Sequence, residues 1–106
     1  MNKIDALKFD HVALSSKNVT ASIDWYKNKF LDVEVLYQDD TWGLIQLGGL
    51  RLAFVMPSQH PPHVCFSIDE SKYDFSEKHF KVHRDGSRSK YIADLDGNFI
   101  ELLRWK

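Results

Sequence analysis

Two histidines and one glutamate are the residues of this chain whose types and surroundings point to chemistry. His11 lies in Phe9-Asp10-His11-Val12-Ala13-Leu14-Ser15, and His63 lies in Pro61-Pro62-His63-Val64-Cys65-Phe66-Ser67. The second run repeats the first, with histidine on histidine. Glu101 sits in Phe99-Ile100-Glu101-Leu102-Leu103, so its carboxylate is set among apolar neighbours. An ionised carboxylate in such surroundings needs a partner, because an uncompensated buried charge is strongly destabilising. A metal ion or another cation would supply it. Two imidazoles and one carboxylate on one facial array suit Fe(II), Mn(II) and related ions and leave positions open to substrate. Cys65 is the lone cysteine. It can form no intrachain disulfide, and the expected role is that of a small packing residue.

The elements that must position these residues are legible from spacing. Phe9–Ser15 and its repeat alternate as half-buried strands do. A second repeat aligns Leu44-Ile45-Gln46-Leu47-Gly48-Gly49-Leu50-Arg51-Leu52-Ala53-Phe54 with Ile92-Ala93-Asp94-Leu95-Asp96-Gly97-Asn98-Phe99-Ile100-Glu101-Leu102. Each copy reads as strand, tight glycine-containing turn, strand. Between strand and hairpin, Val19, Ile23, Tyr26 and Phe30 recur at helical spacing after Asn18, a suitable N-cap. In the second half, Ser71-Lys72-Tyr73-Asp74 opens a shorter helix with Tyr73 and Phe80 on its apolar face. The expected order is strand 8–15, helix 19–31, strands 33–38, 41–47 and 50–56, then strand 63–68, helix 71–80, and strands 81–84, 88–94 and 98–104. This spells β-α-β-β-β twice. The fold class is therefore α+β, with one domain over 1–106 and internal modules of about 1–57 and 58–106.

Alternation also assigns faces. His11, Ala13 and Ser15 share one face, and so do His63, Cys65 and Ser67; the larger apolar residues point the other way, where helices can cover them. The histidine faces, otherwise small or mildly polar, are expected to line a cavity with room for a ligand.

Composition narrows the partners. The chain has 106 residues, 43% of them hydrophobic and 27% charged, with a formal net charge of −1. Its Lys and Arg residues are scattered and form no basic stripe, which excludes nucleic acid as an expected partner. The longest apolar run, Leu52–Met56, falls far short of the roughly 20 residues that cross a bilayer. With no apolar signal segment at Met1-Asn2-Lys3-Ile4-Asp5, a cytoplasmic location is expected.

Over essentially its whole length the sequence resembles the vicinal oxygen chelate superfamily, the group of glyoxalases, bleomycin-resistance proteins and extradiol dioxygenases. The resemblance is carried by Phe9–Leu14, by Ser22-Ile23-Asp24-Trp25-Tyr26-Lys27, by His63–Ile68 and by the closing Asp94–Leu102. It implies two βαβββ modules forming a half-open mixed β-barrel around a cavity, with helices outside. It also implies one divalent ion (Fe, Mn, Zn or Ni) held by the residues standing at the family's ligand positions, here His11, His63 and Glu101. Glyoxalase I enzymes typically carry a Glu where the repeat places Ala53, so that reaction is not expected.

Two precedents then suggest further residues. The closing region resembles that of fosfomycin-resistance thiol transferases, in which a lysine, a serine and a tyrosine spaced like Lys81, Ser89 and Tyr91 hold a phosphonate. Asp85 stands where another serine of that site is expected, Ala13 where a threonine is usual, and a late arginine is missing, so this substrate fits poorly. Extradiol dioxygenases place a tyrosine before the ligand glutamate as Tyr91 stands before Glu101, which makes Tyr91 the expected catalytic hydrogen-bond donor or acid. The remaining expected cavity wall is Ala13, Ser15, Ala53, Cys65 and Ser67, with Lys81 and Ser89 contributing to substrate binding. The expected function is that of a small metal-dependent enzyme acting on an oxygen-chelating small molecule by ring cleavage, isomerisation (lyase chemistry) or thiol transfer. The alternative is a metal-free protein that sequesters a small molecule, as bleomycin-resistance proteins do. The family's habit implies a homodimer.

Overall fold

In the computed structural model, which describes residues 7–68, 81–83 and 86–104, strand pairing starts at the turns that glycines permit. Gly48 and Gly49 have φ of 59° and 80°. Positive φ at both central positions is what a two-residue hairpin turn requires, and it closes β3 (Trp42–Leu47) on β4 (Leu50–Val55) with Leu47 opposite Leu50. The second hairpin joins β7 (Arg88–Ala93) to β8 (Phe99–Arg104). Its turn is organised by Asp94, whose carboxylate accepts the backbone N–H groups of Asp96 and Asn98 and the side-chain amide of Asn98, each at 2.9 Å. Both repeated hairpins are thus as expected.

The other strands are β1 (Leu7–Ser15), β2 (Glu34–Gln38), β5 (His63–Ile68) and β6 (Lys81–Val82). The chain divides into two compact units, His11–His63 and residues 1–10 with 64–106, and β1 contributes to both. In the first unit the strand order is β2-β3-β4-β1; in the second it is β1-β5-β8-β7-β6. Among the described residues β2 ends the order of the first unit and β6 that of the second. The pairing is mixed: β1 runs parallel to β4, while β2/β3, β3/β4, β6/β7 and β7/β8 are antiparallel. The fold is α+β, as the sequence predicts.

In the His11–His63 unit, helix α1 (Val19–Lys29) starts where Asn18 accepts the Ala21 N–H at 3.0 Å. Val19 and Ile23 pack with Ile45 and Phe54, flanked by Leu14, Tyr26, Val33 and Leu52. Gly43 makes this approach possible: a Cβ there would stand 2.7 Å from Ile23 Cδ1 and 3.0 Å from Val19 Cγ1. The opposite face of the same strands buries a separate cluster of Ala13, Leu44, Ala53 and Val55. The helix ends at Lys29, short of the expected 31, because Phe30 takes an extended conformation with φ −127°. In the other unit Ile68 and Leu102 pack with Ile92 and Ile100. The expected helix over 71–80 lies outside the described residues. No helix among the described residues is long and apolar enough to cross a membrane.

Candidate metal and substrate site

Within the His11–His63 unit the two histidines meet. Their ring centroids are 5.6 Å apart in an edge-on arrangement, and a ring nitrogen of each lies within 4.8 Å of the other. His63 is buried, and its Nδ1 lies 2.7 Å from the Pro61 carbonyl oxygen. A carbonyl only accepts, so Nδ1 carries the proton and donates it, leaving Nε2 as the nitrogen with the lone pair. Fixing the tautomer through the far nitrogen is how proteins prepare a histidine to bind a metal. The sequence explains the geometry: Pro61-Pro62 leads into β5 without backbone donors of its own, so the Pro61 carbonyl is presented to the ring two residues on. Ala13 and Ala53, opposite each other in the β1/β4 register, lie buried beside this face. Ser15, at the end of β1, is exposed.

The other unit holds the carboxylate. Glu101 is 8% exposed on β8 and stands directly opposite Tyr91 of β7. Opposed residues of an antiparallel pair project to one face, so Tyr91, Glu101, Ser89 and Leu103 share a side. Burial pushes the Tyr91 hydroxyl far above its ordinary pKa, and the nearby Glu101 carboxylate pushes it further. The phenol therefore stays protonated at neutral pH and can offer a hydrogen bond. Cys65 is fully buried, and its sulfur lies within 4.8 Å of a carboxylate oxygen of Asp10, itself buried. Asp10 was not singled out in the sequence, although it precedes His11 in the repeated strand.

The remaining expected residues are more varied. Ser89 is buried, and its Oγ is 2.6 Å from His83 Nε2, an engagement that sequence reading did not foresee. Lys81, opposite Ser89 in the β6/β7 register, is exposed. Ser67 Oγ donates to the Lys8 carbonyl at 3.4 Å. Asp85 lies outside the described residues. Arg51 was also missed. It alternates with Ala53 on β4, is partly buried, and has a buried Nε with no hydrogen-bond partner.

No family model matches the chain. Solved structures do. A glyoxalase/bleomycin resistance protein/dioxygenase superfamily member from Vibrio splendidus 12B01 matches with a TM-score of 0.67 and 12% identity, over 93% of this chain and 99% of that one. The NAD-dependent benzaldehyde dehydrogenase from Legionella pneumophila matches with a TM-score of 0.67 and 19% identity, over 90% of this chain and 97% of that one. The 2,3-dioxygenase LapB from Pseudomonas sp. KL28 matches with a TM-score of 0.54 and 16% identity; the match covers 92% of this chain but 42% of LapB. The five glycines here include no G-x-G-x-x-G dinucleotide fingerprint, so the dehydrogenase likeness concerns architecture alone. The mixed strand order, the two hairpins and these matches together give the chain the fold of the glyoxalase/bleomycin resistance protein/dioxygenase superfamily.

Proposed function

We propose that the chain is a small divalent-metal-dependent enzyme acting on an oxygen-chelating small molecule, with His11, His63 and Glu101 holding the ion. The observation that carries this reading is the histidine pair, with ring nitrogens within 4.8 Å and one tautomer set by a backbone carbonyl. That donor set fits Fe(II), Mn(II), Zn(II) or Ni(II). Glu101 is the repeat's equivalent of Ala53, which lies opposite Ala13 on the histidine face of β1, and a buried carboxylate suits a cation. When bound, the ion would act as a Lewis acid on substrate oxygens.

The chain's own residues supply the rest. Tyr91 keeps its proton and offers a hydrogen bond to a substrate oxygen as charge develops there. Ala53 offers no carboxylate, so the proton transfers of glyoxalase I have no residue to perform them at that position. Ring cleavage is the reaction best served by three protein ligands and a protonated tyrosine; isomerisation or thiol transfer on a chelating substrate uses the same groups. A homodimer is part of this reading. The β2 strand, which has a single strand neighbour among the described residues, exposes Val35, Leu36 and Tyr37, and such an edge is commonly covered by a second chain.

The test is metal content by mass spectrometry after purification without chelators, beside His11→Ala, followed by oxygen uptake on a panel of catechols. One ion per chain, lost in the variant, and turnover by the wild type support the enzyme. Full exclusion of Fe, Mn, Zn and Ni after incubation with each leaves a metal-free binding protein and ends the proposal.

A further inference from the structure

A buried donor without an acceptor is rare, since more than about nine in ten buried polar groups in folded proteins are satisfied. Arg51 breaks this rule at the guanidinium Nε. The location is informative. The register pairs Ala13 with Ala53 and Val12 with Leu52. Ala13 and Ala53 are buried together, while Leu52 packs with the helix cluster on the other side. Alternation along the two strands therefore puts His11 and Arg51 on the same face, one step beyond the Ala13/Ala53 pair. Across β3 the residue opposite Arg51 is the uncharged Gln46, and Glu34 of β2 follows only one strand further on. The guanidinium is a permanent cation with a planar fork of donors matched to an oxyanion.

We propose that Arg51 is the anion-recognition residue of this site and that its substrate carries a carboxylate or comparable oxyanion beside its chelating oxygens. The inference rests on the functional reading above only in taking the His11 face as the substrate face. A fixed cation one strand from His11 orients an anionic substrate and rejects neutral analogues, because without the anion the buried donor stays unsatisfied.

The test is calorimetric titration of the full chain at pH 8, where ordinary histidines are neutral, with benzoate, phenylphosphonate and neutral benzamide. Each is run with and without Mn(II). Both oxyanions are expected to bind at least about tenfold more tightly than benzamide, the scale of a charge-assisted hydrogen-bond pair. Arg51→Met should abolish the preference, and Arg51→Lys should restore part of it. The ligand-free Arg51→Met chain should melt no lower than wild type, because the orphaned donor is gone. Absence of an oxyanion preference in the wild type would overturn the proposal, as would its persistence in Arg51→Met. Loss of cooperative unfolding in both Arg51→Met and Arg51→Gln would overturn it too, by showing that the guanidinium serves the fold. An oxyanion preference without Mn(II) uptake would sink the metal reading and leave Arg51 standing; Mn(II) uptake without the preference would do the reverse.

Discussion

Gly43→Ala offers a quantitative test of how α1 is seated on the strands behind the histidine face. The added methyl would stand 2.7 Å from Ile23 Cδ1 and 3.0 Å from Val19 Cγ1, with the Tyr37 carbonyl oxygen at 3.5 Å. Val19 and Ile23 are 2% and 1% exposed, so neither has solvent to move into. Overpacking of this kind costs about 1–3 kcal/mol. Replacing glycine also narrows the unfolded ensemble, which returns about 0.4–1 kcal/mol. The net expectation is a loss of about 1–2 kcal/mol, read as a lower urea midpoint at unchanged slope. Ile23→Val removes the methyl that the new Cβ meets first. Alone it should cost about 0.5–1.5 kcal/mol; in the Gly43→Ala background it should cost nearly nothing or stabilise. The double-mutant cycle should therefore give a coupling of at least about 0.5 kcal/mol. Strict additivity, or a Gly43→Ala chain as stable as wild type, would refute the close seating of α1 on β3.

Three other outcomes follow from particular contacts. Tyr91 has a raised pKa, so the folded state disfavours the phenolate: the stability is present below the ordinary value of 10.0 and is lost as pH rises beyond it. Tyr91→Phe should flatten that alkaline decline in denaturation midpoints between pH 9 and 11, and should reduce turnover by about 10²–10⁴ while sparing metal uptake. Asp94 has a lowered pKa from its hydrogen bonds to Asn98, Asp96 and Gly97, so its contribution is present above the ordinary carboxylate value and lost as pH falls through the folded one; Asp94→Ala should remove this acid dependence, and an unchanged acid limb would count against the turn. Asn18→Ala should lower stability by about 1 kcal/mol through the lost cap, measurable by urea unfolding.

Much of the fold was written in short-range pattern. The paired glycines of one hairpin, Asp96-Gly97 in the turn of the other and Asn18 are local devices whose chemistry needs no knowledge of the rest of the chain. The helix end was less legible. Phe30 continues the apolar spacing, yet it serves from outside the helix by stacking on Tyr26 and lying edge-on to Trp25, a tertiary preference that periodicity does not encode. Gly43 likewise looked like an ordinary strand residue until α1 lay against it. The register irregularity of β2 between Val35 and Tyr37 has no residue signature of its own.

The candidate site divides in the same way. Repetition singled out His11 and His63 because duplicated strands preserve position, and the apolar setting singled out Glu101 because a charge there asks for a reason. Arg51 went unnoticed because whether its donors find acceptors depends on packing, which strand alternation does not encode. The Pro61 carbonyl that fixes the His63 tautomer and the His83 contact that occupies Ser89 were invisible for the same reason: each joins groups by geometry at a turn or between paired strands, not by a motif.

The most direct measurement of the central claim is X-ray absorption at the edge of the bound metal in the full chain. The account predicts a nitrogen and oxygen shell near 2.0–2.2 Å for a zinc-loaded sample, with the multiple scattering of two imidazoles, reduced to one imidazole in His63→Ala. A sulfur shell near 2.3 Å, which would implicate Cys65 beside Asp10, or a spectrum without imidazole, would contradict it.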